Sequence, residues 1–252
     1  MDRWRVARAY APSRYFAPLR ADSLIIGATC LCHWRESVPD AETGCQIYAV
    51  IEAGEAAPER LAAAFGAADL ASVLILPAAG RALEAPSARP LVDLAQRRGA
   101  AALIAADSRL ARSLGADGVH LGAAADLKDA YQAARGILGA SGVIGVDAGI
   151  LRHDAMTLAE AGADYIAFGA PAHLKDRDKA RARRDGFVAW WAEIFQVPCV
   201  AFDVDTAEEA EALAGAGTDF VALTLPGGQS PAAARDLVAA VAAAIGTRET
   251  AS

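Results

Sequence analysis

From Cys45 onward, short apolar runs alternate with stretches whose apolar residues recur every three or four positions. The runs are CQIYAVIEA (45–53), ASVLILP (71–77), AAALIAAD (100–107), DGVHLG (117–122), GVIGVD (142–147), DYIAFG (164–169), PCVAFDV (198–204) and DFVALT (219–224). Each is rich in β-branched, aromatic or small apolar residues with little alternation, as strands buried on both faces of a parallel sheet read. Between them PERLAAAFGA, ARPLVDLAQRRG, SRLARSLG, DLKDAYQAARGIL, RHDAMTLAEAG, FVAWWAEIF, TAEEAEALAGAG and SPAAARDLVAAVAAAI have helical spacing. Thr206 with Glu209 has the form of a capping box, and Ser230 before Pro231 is a cap followed by proline at the first helical position.

Eight strand-then-helix units predict an α/β chain closed into a (β/α)8 TIM barrel over residues 45–246, with an extra N-terminal segment, 1–44, and a tail, 247–252. An open doubly wound sheet is the alternative, but no G-x-G-x-x-G follows a strand. One pattern returns three times: LGADGVHLG from Leu114, AGADYIAFG from Ala161 and AGTDFVALT from Ala216. Glycine there ends a helix, where a left-handed residue is needed, and aspartate opens the next strand. Such joints lie at the N-terminal face of a barrel, so the repeat reads as scaffold.

Composition narrows the partners. Apolar residues make up 54% of the 252, which predicts a packed core, and a net charge of −7 disfavours nucleic acid and anionic membrane surfaces. Cys30, Cys32, Cys45 and Cys199 match no zinc spacing, Cys199 reads as a buried thiol, and the set fits a reducing cytoplasmic setting. Arg3, Arg5, Arg8, Arg14 and Arg20 precede SLIIGATCLCHW, a faint echo of a signal peptide. The apolar part is too short to span a bilayer, and residues 1–44 read as an appendage or poorly ordered tail.

In a barrel, chemistry gathers where strands end. Those ends offer Glu52, Asp107, His120, Asp147, Asp203 and Asp205. Asp107, His120, Asp147 and Asp203 are the catalytic candidates. Asp107 equally suits a cap for the helix starting near Ser108, and Asp205 one beside Thr206. His120, within GVHLG, equally suits a hydrogen-bonded core position. LPGGQSP (225–231) is the phosphate candidate, with Gly227, Gly228, Gln229 and Ser230 presenting amides at a helix N-terminus. HLKDRDKARARRDG (173–186) reads as the longest loop, either a solvated charge run or a lid whose Lys175 and Arg177 meet a phosphate.

GADGVHLG, GVIGVD, GADYIAFG and VPCVAFDVDTAEEAEALAGAGTDFVALT resemble thiamine phosphate synthases and their thiazole-tautomerase (TenI-like) relatives over residues 45–246. The resemblance implies a compact, cytosolic, commonly dimeric barrel. It also implies a transferase that joins an aminopyrimidine diphosphate to a thiazole phosphate, releasing pyrophosphate with Mg2+. The family's polar equipment is largely replaced. Its Gln-x-Arg-x-Lys on strand two reads VLILPA here, and its Asn-Asp-Arg after strand three falls on Ala105, Ala106 and Asp107. The Gln-x-Asp after GVHLG is Ala123, Ala124 and Ala125, with Asp126 one place late, so Asp107 and Asp126 are the metal candidates. Ser-x-His after strand five becomes Asp147, Ala148 and Gly149, with His153 following, and Thr-x-Thr-Lys after strand six becomes HLKDR. Gly-Gly after strand seven becomes Asp203 and Val204. Losing one group that offsets developing charge commonly costs about 2.7–4 kcal/mol, and several are replaced together.

The expectation is a divergent barrel that binds a phosphorylated small molecule, as a homodimer, with synthase catalysis weakened or lost and no cofactor. The alternatives are an active synthase using Mg2+, a tautomerase with His120 or His153 as general base, or an isomerase or epimerase using Asp147 and Asp203 as an acid–base pair.

Overall fold

A sequence with eight doubly buried runs must cover both faces of its sheet, and this chain does so by closing it. The computed structural model describes residues 44–124, 126–149, 151–170 and 175–246. The extension up to residue 43 and the tail 247–252 lie outside the described residues, as do Cys30 and Cys32. Among the described residues there are eight strands: β1 (Gln46–Glu52), β2 (Ser72–Leu76), β3 (Ala101–Ala105), β4 (Gly118–Leu121), β5 (Val143–Asp147), β6 (Tyr165–Phe168), β7 (Cys199–Val204) and β8 (Phe220–Leu225). All pair in parallel in chain order, and β8 returns to β1, closing the barrel. The helices, likewise among the described residues, are α1 (Ala57–Phe65), α2 (Ala85–Arg97), α3 (Ser108–Leu114), α4 (Leu127–Leu138), α5 (Arg152–Glu160), α6 (Arg177–Ile194), α7 (Ala207–Gly215) and α8 (Pro231–Gly246).

Outward strand residues such as Ile47, Val73, Ile104, Val119 and Ile166 pack against the helices in the larger core. Inward ones, among them Tyr48, Leu74, Leu103, Tyr165 and Val200, fill the barrel. The two tyrosines fit because a neighbour is small. A Cβ on Gly145 would lie 1.8 Å from the Tyr165 ring.

The repeated joint is a structural device. Gly115, Gly162 and Gly217 take φ of 66°, 95° and 94°. The aspartate two residues later accepts a backbone N–H from the strand before it: Asp117 from Ala102, Asp164 from Ile144 and Asp219 from Cys199, each at 2.8 Å. Charge-assisted bonds of this kind pin neighbouring strands in register at the floor of the barrel.

One expectation is corrected. The basic segment predicted as a loop is helical from Arg177, with the Asp176 carboxylate accepting the Lys179 amide at 3.0 Å. Its charges are matched across the α6–α7 contact, where Arg181 pairs with Asp205 at 2.6 Å and Arg184 with Glu209 at 2.6 Å. Helix capping and ion pairing thus absorb what reads in sequence as a polar run. His173 and Leu174 lie outside the described residues.

Candidate functional site

The parity of each strand decides which end residues look into the mouth. Residues in step with Tyr48, Leu74, Leu103, Val143, Tyr165, Val200 and Ala222 face inward, which places Glu52, Leu76, Ala105, Asp147, Phe202 and Thr224 around the opening. His120 lies one layer below, on β4. The strands therefore contribute carboxylates, aliphatics, a phenylalanine and a threonine to the mouth, with one histidine beneath, and no lysine or arginine.

Below the opening runs a buried polar chain. His120 Nδ1 is 3.0 Å from Tyr165 Oη, which is 2.8 Å from Tyr48 Oη. The His120 ring stacks on Phe202 at 5.0 Å between centroids, and Phe202 packs on Tyr48 at 5.4 Å. Burial pushes the His120 pKa down to about 4, so the ring is neutral near pH 7. Burial also raises both tyrosines, keeping the chain uncharged.

Asp147 and Asp203 converge on the mouth from β5 and β7. Asp147 Oδ1 accepts the Gly149 amide at 2.8 Å, and Asp203 Oδ2 accepts the Ala170 amide at 2.8 Å. Burial raises both carboxyls above the ordinary range, against the pull of those amides, and the charge of Asp203 raises Asp147 further. Asp203 sits at φ 58°, a left-handed position that glycine takes readily and aspartate tolerates, beside a register shift between Ala201 and Val204. What holds it there is Arg184. This side chain is fully buried and donates to the carbonyls of Phe202 and Asp203, both at 2.9 Å, while pairing with Glu209. The arrangement also fixes Gly169, where a Cβ would approach Asp203 Oδ2 to 3.0 Å.

The β8–α8 loop is organised around a second buried arginine. Arg60 of α1 donates to Glu52 O at 3.1 Å and to Gly227 O at 3.2 Å. Glu52 Oε2 accepts the Gly227 amide at 3.0 Å, so a carboxylate of the chain holds one of the amides expected to meet a phosphate. The Gln229 amide bonds to Pro226 O, and Ser230 Oγ caps α8 by accepting from Ala233 N at 3.2 Å. Among the described residues, the amides of Gly228 and Ser230 find no backbone or side-chain partner. Lys175 is exposed, and Arg177, half-buried, donates to Ala170 O.

The remaining candidates are engaged in caps or exposed. Asp107 caps α3, its Oδ1 accepting the Leu110 amide at 2.9 Å, and Asp126 sits exposed at the start of α4 without a capping bond. His153 is exposed in the first turn of α5. Among the described residues no three His, Cys, Asp or Glu side chains are placed to hold a metal ion together. With Asp107 committed to its cap, the donor set does not fit a preformed magnesium centre, which needs convergent carboxylate oxygens. Burial pushes Cys45 up to about 12 and Cys199 up to about 11, so both are inert thiols.

Arg60, Arg184 and Tyr165 were not picked out by sequence reasoning. The two arginines leave a readable trace: Arg60 falls in step with Ala57, Leu61 and Ala64, and Arg184 with Ala180, Val188 and Trp191, on buried helix faces. A charge on an apolar stripe signals an internal partner. Tyr165 looks like any strand aromatic.

Comparison with known proteins is consistent with this architecture. Residues 47–225 match the family described as thiamine monophosphate synthase. A thiamine-phosphate synthase from Rhodospirillum centenum is 35% identical over 190 residues, covering 72% of this chain and 88% of that one. A solved thiamine phosphate pyrophosphorylase from Pyrococcus furiosus superposes with a TM-score of 0.61 at 16% identity, covering 79% of this chain and 95% of that one. A structure described as native KDPGal superposes with a TM-score of 0.63, also at 16% identity, covering 81% of this chain and 94% of that one. At such identity the superpositions speak for the barrel alone.

Proposed function

The chain belongs to the thiamine monophosphate synthase family, and from that premise we propose that it is a divergent member, one that binds a phosphorylated small molecule with synthase catalysis weakened or lost. The observation that carries this reading is the make-up of the mouth. Glu52, Asp147 and Asp203 stand there with Leu76 and Ala105, and the strands bring no cation. A departing pyrophosphate needs cations or a metal to take up its charge, and carboxylates around it raise the barrier instead. Magnesium, where it serves such a reaction, supplies that charge; Asp107 has one oxygen on its cap and Asp126 is exposed, and no step is assigned to the metal here.

The phosphate end of the ligand is placed at the β8–α8 loop. There the amides of Gly228 and Ser230 and the dipole of α8 favour an anion, with Gln229 beside them and Gly227 already engaged by Glu52. Lys175 and Arg177, after β6, are the cations we assign beside it. We place the protein in the cytoplasm as a homodimer. No described helix is long and apolar enough to cross a membrane.

The test is a direct assay with Mg2+, aminopyrimidine diphosphate and thiazole phosphate, run beside the Rhodospirillum centenum relative and with rescue of a thiamine auxotroph. Turnover is expected to be lower by a factor on the order of 10² or more. Thiazole phosphate is expected to raise the melting temperature. Turnover matching the relative's, or rescue at its level, overturns the reading.

A further inference from the structure

The β8–α8 loop already holds an anion, and the chain itself supplies it. Strand β1 lies beside β8 with Ile51 level with Leu225, so Glu52 reaches the loop that follows. Its Oε2 accepts the Gly227 amide at 3.0 Å. This contact explains why residue 227 is glycine. Its φ lies outside the left-handed region that calls for one, yet a Cβ there would stand 2.9 Å from Glu52 Oε2. The missing side chain makes room for a carboxylate oxygen.

A second observation, independent of the glutamate side chain, concerns Arg60. It is 2% exposed and donates to Glu52 O and Gly227 O, so it already ties the end of β1 to the loop through two carbonyls. Its guanidinium also sets a buried cation beneath the loop. The Gly227 amide, this cation and the N-terminal end of α8 all favour negative charge in one place. With both main chains clamped by Arg60, the half-buried Glu52 side chain can swing outward without moving either.

We propose that Glu52 is a tethered competitor of the β8–α8 loop, filling it in the free chain and leaving when a phosphate binds. A side chain held on so short a tether competes at an effective concentration in roughly the millimolar range. A loop filled in this way about nine-tenths of the time binds an outside anion about tenfold more weakly. A phosphate can still win, because its extra charge and oxygens engage the Gly228 and Ser230 amides together with that of Gly227. A ligand carboxylate brings nothing that Glu52 does not already offer. The loop thus stays shut to weak anions and opens to phosphate. This deepens the reading above by adding a control on its phosphate end, and it rests on that reading for the loop being the phosphate site.

The probe is inorganic phosphate, titrated calorimetrically into the full chain and into its Glu52→Ala, Glu52→Gln and Glu55→Gln variants. Glu52→Ala is expected to bind phosphate about tenfold or more tightly than the native chain. Glu52→Gln keeps an oxygen for the Gly227 amide but drops the charge, so its gain should be smaller, about threefold or more. It carries the test if Glu52→Ala fails to fold. Glu55→Gln removes an exposed charge from the same β1–α1 turn and should change affinity by less than about twofold. In the native chain, phosphate should shift the Glu52 Cδ and Gly227 amide NMR resonances together. A brace would instead give weaker or unchanged phosphate binding when Glu52 is replaced, and either result overturns the competitor while leaving the phosphate loop standing. So does an equal gain from Glu55→Gln, or a Glu52 Cδ resonance that stays in place as phosphate saturates. Binding by the Glu52 variants alone supports the competitor in its strongest form. No phosphate binding by any of these chains overturns the competitor and the phosphate end together.

Discussion

Tyr165 carries two partners on one hydroxyl, so removing that hydroxyl disturbs both at once. Tyr165→Phe leaves Tyr48 Oη and His120 Nδ1 unpaired where water does not reach. The expected loss is about 1–3 kcal/mol, seen as a lower urea midpoint at unchanged slope. The same burial sets the protonation of His120. Its folded pKa, about 4, lies below the ordinary 6.5, so the unfolded chain binds the proton more readily. The neutral ring's contribution is therefore whole above pH 6.5 and lost as pH falls through 4, on the order of 3 kcal/mol in all. In an NMR titration the His120 ring should stay neutral to near pH 4, and a midpoint near 6.5 would contradict the burial argument. The histidine within GVHLG is plain in the sequence. Its partner is 45 residues away, and only barrel closure joins them.

At the scale of elements, periodicity told most of the story. The eight apolar runs fall within a residue or two of the eight strands, because a doubly buried strand has no polar position to blur its limits. The joint was legible too, since glycine before a small residue and aspartate announces a left-handed helix end. What the aspartate does was not, because its partner belongs to the preceding strand. Asp164 takes the Ile144 amide at 2.8 Å and Arg135 at 2.7 Å. Asp164→Ala should cost about 1.5–3 kcal/mol, more than Asp117→Ala, whose side-chain donor is the neutral Gln96. Equal urea midpoints for the two variants would deny the ion pair its part. The first ten residues of α6 escaped notice because RDKARARRDG has no apolar stripe. They become helical through the Asp176 cap and the ion pairs with Asp205 and Glu209, which no local pattern reveals.

Across the whole molecule, closure turns scattered strand ends into one ring of side chains. The sequence supplied the ring's members but not their convergence, so Asp147 and Asp203 could be offered as catalytic candidates and an acid–base pair without the geometry that joins them. Their meeting adds negative charge to the mouth, Asp203 partly offset by Arg177 and Arg184, and its cost at Asp147 is measurable. Burial raises the Asp147 carboxyl above its ordinary 3.8, with the Gly149 amide opposing and the Asp203 charge adding. The folded chain then holds the proton more tightly than the unfolded one, so stability falls as pH rises through that window and stays lower at neutral pH. Asp147→Asn keeps an oxygen for the Gly149 amide and drops the charge. It should raise the melting temperature at pH 7, and the gain should vanish below pH 3.8, where both states of the native chain are protonated. A gain that persists unchanged in acid would mean that packing, not charge, is responsible.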